Sequence, residues 1–296
     1  MTSADHRAQF DARVTFSNGG GLRAEGFRID VPGPHKGTRG GPSDTGPGRA
    51  PAETGWSWVE LSHVIAAGMT TYPGLPVPEV SPYLTREGSR EIYASGTEFA
   101  IDRVSMVGNT GTYLDSPYHR YSDGLDLAGL PLTSVADLPT VVVRTAGAQT
   151  RAVGIGALAG LDVAGHAVLL HTGGDRHWGS AEYARAAPYL TEDGAVWLVE
   201  QGARLVGIDS VNIDDTATGQ RPAHTVLLAA DVPVVEHLTG LGQLPPTGAR
   251  FTAAPPRFAA FGTFPVRAYA AVPDRSASAP GGSVEPAKST SRTVGR

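Results

Sequence analysis

Between Asn109 and His119 the chain reads Asn-Thr-Gly-Thr-Tyr-Leu-Asp-Ser-Pro-Tyr-His, and no other stretch sets so many acids, bases and metal-capable groups among turn residues. Read as a strand it alternates faces, so Asn109, Gly111, Tyr113 and Asp115 share one side. Gly111 leaves a gap through which a ligand could approach the backbone. Pro117 has no amide proton for a ladder and ends the strand, turning His119 back toward Asp115. A carboxylate and an imidazole at a strand end form one reading, a chemical site. The other is a turn in which Asp115 caps backbone amides and His119 is a surface histidine.

The 296 residues suffice for one large core or two modest domains. A hydrophobic content of 41% with 18% charged residues is the balance of a globular protein. The net charge of −5, without a Lys/Arg run, argues against nucleic acid and anionic membranes as partners. Cysteine is absent, which excludes disulfides, thiolate nucleophiles and sulfur-ligated zinc. His, Asp and Glu remain as metal ligands. Asp5, His6 and Arg7 have no apolar run behind them, so no signal peptide is read there, and nothing approaches the roughly 20 apolar residues of a membrane span. A cytoplasmic protein is expected.

Residues 1–31 read as a β-hairpin-like segment, with alternating runs split by Asn18-Gly-Gly-Gly21. Residues 32–55 are a Gly/Pro-rich linker, residues 56–272 the main domain, and residues 273–296 a Ser/Pro/Gly-rich tail expected to be disordered. Within the main domain, strands are expected at Trp56–Ser62, Phe99–Met106, Pro139–Arg144, His166–His171 and Leu205–Asp209. Further strands are read at 250–252, 257–261 and 266–272. Helices are expected at Ala181–Ala187 and at Thr191–Gln201, the second capped by Thr191 and stopped by Gly202. The strand ending at Thr172-Gly173-Gly174 exposes backbone amides that could bind an oxyanion. Asp209 is read as an acid that bonds loop amides. His224 opens a short helix, and Glu236 ends the strand after it.

The Asn109–His119 segment resembles the His-x-Gly-Thr-His-x-Asp-x-Pro-x-His signature of the bacterial cyclase family, which includes metal-dependent kynurenine formamidases and isatin hydrolases. Gly111, Thr112, Asp115, Pro117 and His119 match it; Asn109 and Tyr113 stand where the family carries metal-binding histidines. Leu61-Ser62-His63 with Tyr72-Pro73-Gly74, the Thr172-Gly173 … Trp178-Gly179 loop, and His224 … Leu227-Leu228 … Glu236 are similar to family patterns in the same order. The resemblance implies an α/β fold, the swivelling β/β/α cyclase type with a mixed sheet and flanking helices, and a homodimer or larger oligomer. It implies Asp115, His224 and Glu236 as metal ligands, His119 as the proton-transfer group, and Tyr72, Trp178 and Gly173 beside the substrate.

With two family histidines replaced, a two-metal site is not expected. An amide oxygen is a weak neutral ligand, and a phenol near pKa 10 stays largely protonated. One zinc or manganese ion, or none, are the two readings. The first gives a formamidase-like hydrolase of an amide or lactam C–N bond in a small molecule, with Thr172 and nearby amides holding the oxyanion. The second gives a metal-independent cyclase, dehydratase or isomerase of a small natural product, with Tyr113 and His119 as acid and base and Asn109 beside them. A catalytically inactive binding homologue is the third.

Overall fold

The computed structural model describes residues 6–15, 21–31 and 55–274. The chain divides into two units, Met1–Ala52 and Glu53–Arg296. In the first, β1 (His6–Thr15) pairs antiparallel with β2 (Gly21–Val31), with a bulge between Phe10 and Ala12. The expected turn around Asn18 and the linker up to residue 54 fall outside the described residues.

The second unit runs β3 (Trp56–Glu60), β4 (Glu79–Leu84), α1 (Arg86–Ser89), β5 (Ile101–Ser105), β6 (Tyr113–Asp115), β7 (Leu138–Arg144), β8 (Ala152–Val153) and α2 (Ile155–Leu158). It continues with β9 (Ala167–His171), β10 (Tyr189–Leu190), α3 (Glu192–Glu200), β11 (Leu205–Ile208), α4 (Pro222–Ala229), β12 (Val234–Glu236), β13 (Thr247–Thr252), β14 (Thr263–Pro265) and β15 (Tyr269–Pro273). Nine strands form one sheet in the order β14-β6-β12-β11-β9-β7-β13-β15-β3. The inner strands β12, β11, β9 and β7 are parallel, and the outer pairs are antiparallel. This is an α/β fold of the mixed-sheet kind expected.

Alternation sorts the sheet's side chains into two cores. Leu114, Leu169, Leu205, Val235 and Phe251 pack on one face. Val168, Leu170, Val206, Ile208 and Val234 pack on the other, against Leu158, Leu198, Leu227 and Leu228 of the helices. Each fully buried Leu or Val contributes about 1.5–3 kcal/mol relative to exposure. Strands β9 and β11 are buried on both faces and therefore read as continuous apolar runs.

Four local expectations need correction. The strand expected from Asn109 starts only at Tyr113, because Gly111 adopts φ +66° and its amide donates to Oγ1 of Thr71 at 2.8 Å. Residues Ala181–Ala187 form turns: Ala186 has φ +50°, and Pro188 disfavours a helical conformation at Ala187. Residues 257–261 form no strand; they follow Pro255-Pro256, and Ala260 sits at φ +55°. Pro273, expected to open the tail, closes β15 opposite Trp56; residues 275–296 lie outside the described residues. Helix α3 has the expected caps, with Oγ1 of Thr191 accepting from the Gly194 amide and Gly202 just beyond Gln201. Among the described residues no helix is long and apolar enough to cross a membrane.

Candidate metal centre

With Leu114 committed to one core, Tyr113 and Asp115 point to the opposite face, the one covered by α4. Register does the rest. Glu236 lies opposite Tyr113 and Thr263 opposite Asp115, so all four side chains share that face. Helix α4 buries Ala223, His224, Leu227 and Leu228, a stripe at helical spacing, which carries the His224 imidazole over the strand ends. The start of α4 is held by Asp214, whose carboxylate accepts from the amides of Ala223 at 2.6 Å and His224 at 3.2 Å. An anion at a helix N-terminus also meets the positive end of its dipole.

The same carboxylate takes Nδ1 of His224 at 2.6 Å, which leaves Nε2 aimed at the strands. Nε2 lies 3.5 Å from Oδ2 of Asp115 and 3.5 Å from Oε1 of Glu236. Asp115, His224 and Glu236, far apart in sequence, thus converge. Glu236 already accepts the Tyr113 hydroxyl at 2.6 Å on Oε2 and the Ile213 amide at 2.6 Å on Oε1. Oδ2 of Asp115 is buried and, among the described residues, meets no hydrogen-bond donor beyond the 3.5 Å approach of Nε2 of His224.

Thr263 joins the strand to His119. Its hydroxyl donates to Oδ1 of Asp115 and lies 2.7 Å from Nδ1 of His119. The hydroxyl's one proton goes to the carboxylate, so Nδ1–H of His119 is the donor and Nε2 is the basic nitrogen. His119 itself sits on the short 3₁₀ turn Pro117–His119, pressed against Gly262; a β-carbon there would come within 2.5 Å of the His119 amide nitrogen.

Electrostatics follow from this crowding. Burial would depress the His224 imidazolium, but Asp115, Asp214 and Glu236 outweigh it and push the group up to about 10. Burial, reinforced by Asp115 and opposed by His224, pushes Glu236 up to about 7. Burial acts against the Asp115 carboxylate too, yet His119, His224 and Thr263 hold it below the usual carboxylate range. Tyr113 is raised well above an ordinary phenol by burial and by Glu236, so it is a poor acid and a neutral donor.

The residues suit a divalent cation. A buried carboxylate oxygen with no close donor faces an imidazole nitrogen whose partner nitrogen is fixed by an acid, the arrangement metal-binding histidines require. Ligand atoms of Asp115, His119 and His224 all lie within 4.8 Å of one another. Asp115 and His224 are common to this group and to the expected trio. For the third place, Nδ1 of His119 is committed to Thr263 but its Nε2 is free among the described residues, and Glu236, with Oε1 3.5 Å from Nε2 of His224, keeps spare lone pairs, so either residue could complete the set. A cavity of about 670 Å³ opens over the cluster, lined by Asn109, Tyr113, His119, His224 and Glu236 among others.

Other expected site residues lie elsewhere. The Thr172 amide and hydroxyl and the Gly173 amide all donate to the Asp209 carboxylate, the two amides at 2.8 Å each, so these donors are already engaged. They do not form an open oxyanion pocket, and they line a different depression from Asp115. Burial raises the Asp209 carboxyl in spite of those donors. Tyr72 and Trp178 pack with Tyr183 and Val211, and Trp178 stacks on His63 at 3.8 Å; neither lines the cavity over Asp115. The space over Gly111, read as a ligand approach, is taken by Ile65, 2.8 Å from where a β-carbon would sit. Sequence reading missed Thr263 and the linking role of His237. His237 lies with Nδ1 2.8 Å from the Tyr183 hydroxyl and Nε2 3.3 Å from that of Tyr113. Its position next to Glu236 was the available signal; Thr263 offered none.

A mixed α/β sheet gathers carboxylates and imidazoles at its strand ends beneath a cavity, and their donor atoms could hold a divalent cation. The family model described as "Putative cyclase" matches residues 59–215, and the chain belongs to the cyclase family. The kynurenine formamidase of Geobacillus thermodenitrificans is 28% identical over 183 residues, 61% of this chain and 81% of that protein. Isatin hydrolase A from Labrenzia aggregata, solved with benzyl benzoate bound, superposes with a TM-score of 0.64 over 74% of this chain and 95% of that one, at 22% identity. A "predicted metal-dependent hydrolase" from Bacillus stearothermophilus gives a TM-score of 0.57 over 73% of this chain and 98% of that one, at 23% identity.

Proposed function

We propose that the protein is a metal-dependent hydrolase of an amide or lactam C–N bond in a small molecule. The observation that supports this most is Oδ2 of Asp115, buried with no close donor, facing Nε2 of His224 at 3.5 Å beneath the cavity. Asp115, His224 and Glu236 would hold one zinc or manganese ion. Such an ion, when bound, lowers the pKa of water toward neutrality and polarises a carbonyl.

The chain's own groups handle the protons. His119, 37% exposed and tethered through Nδ1, offers basic Nε2 to the cavity. It takes a proton from water as the water oxygen bonds to the carbonyl carbon. It returns that proton to the leaving nitrogen as the C–N bond breaks, giving an amine and a carboxylic acid. Tyr113 stays neutral and holds Glu236 in place. Its raised pKa and its bond to Glu236 speak against Tyr113 as proton donor in a metal-independent reaction. The test is turnover of a panel of formanilides and lactams by metal-replete protein. Hydrolysis abolished by chelator and restored by zinc or manganese is expected; turnover indifferent to chelator would overturn the reading.

A further inference from the structure

We propose that Arg120 and Arg221 form an oxyanion subsite at the rim of this cavity, so that the substrate carries a carboxylate or phosphate besides its scissile bond. The inference rests on the cavity over Asp115 being the substrate site. Both arginines line it. Arg120 follows His119 in the chain, and Arg221 caps α4 three residues before His224, so the elements that place the chemistry also place the two guanidinium groups.

Neither arginine forms an ion pair among the described residues. Nη1 of Arg221 donates to the carbonyls of Thr218 at 2.8 Å and Gln220 at 2.7 Å, which steady the group without neutralising it. Nε of Arg120 reaches Oγ1 of Thr225 at 3.5 Å, and that hydroxyl donates to the Arg221 carbonyl at 2.6 Å. One threonine therefore sits between the two residues. Each guanidinium keeps N–H donors in a planar fork suited to two oxygens of one anion. Glu192 also lines the cavity and pairs with neither arginine, so the rim keeps a positive excess. Asp115 and Glu236 are the acids a metal cation would neutralise. An anion held at the rim would present the rest of the molecule to His119 and the cluster.

The test is calorimetric titration of metal-loaded protein with benzoate, phenyl phosphate and the neutral isostere benzamide. Benzoate or phenyl phosphate should bind about tenfold or more tightly than benzamide, and that margin should vanish in Arg120→Gln/Arg221→Gln. Arg151→Gln/Arg185→Gln, which removes the same charge elsewhere, should retain it. Whichever anion binds tighter identifies the group. Equal binding of benzoate, phenyl phosphate and benzamide, no saturable anion binding up to about 10 mM, or anion affinity unchanged in the Arg120/Arg221 variant would overturn the subsite. Turnover is read separately. Arginine-dependent anion binding without hydrolysis of N-formylanthranilate would support the subsite while counting against the hydrolase reading.

Discussion

Nδ1 of His119 lies 2.7 Å from Oγ1 of Thr263, and the same hydroxyl donates to Asp115, so one threonine sets both the tautomer of His119 and the orientation of the carboxylate. Thr263→Val keeps the shape and removes the link. It is expected to lower kcat about 10–100-fold even in protein loaded with metal to full occupancy, since proton transfer by a positioned group supplies about that much or more. Thr263→Ser should recover most of it. Equal activity of the Val and Ser variants would show the hydroxyl to be mere packing.

Gly262 lies against the backbone of His119, with no room for a β-carbon. Gly262→Ala should displace the imidazole and reduce kcat about 100-fold, the effect of a misplacement near 1 Å. Metal content should stay near wild type. Unimpaired turnover would mean that the 3₁₀ turn shifts without consequence.

The Tyr113 hydroxyl donates to Glu236 at 2.6 Å and meets Nε2 of His237. Tyr113→Phe leaves a buried oxygen without that donor, at a cost of about 1–3 kcal/mol. For a unit of this size each kcal/mol lowers Tm by about 2–4 °C. A Tm unchanged in the metal-free protein would show that the bond contributes nothing net.

His63 stacks on Trp178, and burial, partly offset by Asp175, lowers its imidazolium to about 4. The unfolded chain takes up the proton near pH 6.5, well before the folded one does. His63 therefore favours the fold above pH 6.5, and this preference is lost progressively as pH falls toward 4. His63→Gln should flatten the decline in Tm over that interval. A parallel decline in wild type and variant would assign the acid sensitivity to other groups.

What could be read from the sequence was local. The apolar runs of β9 and β11, the caps of α3, and the identities of Asp115, His224 and Glu236 are written in short stretches or in a motif. What could not be read depends on pairing between distant segments. Thr263 reaches Asp115 only because β14 lies beside β6, a register no spacing within either segment reveals. Asp209 was legible as an acid that bonds loop amides; that those amides are Thr172 and Gly173, at the end of the neighbouring strand, was not. The helix expected at Ala181–Ala187 failed at Ala186 and Pro188, where backbone conformation prevailed over composition.

Asp115, His224 and Glu236 are proposed to hold one divalent cation while His119 moves protons. Elemental analysis of protein purified without chelator tests this most directly, on wild type and on Asp115→Asn, His224→Gln and His119→Gln. One zinc or manganese ion per chain is expected in wild type and in His119→Gln, and its loss in the other two, all four remaining folded. A folded, active wild type without stoichiometric metal, or an ion retained after both Asp115→Asn and His224→Gln, would contradict it.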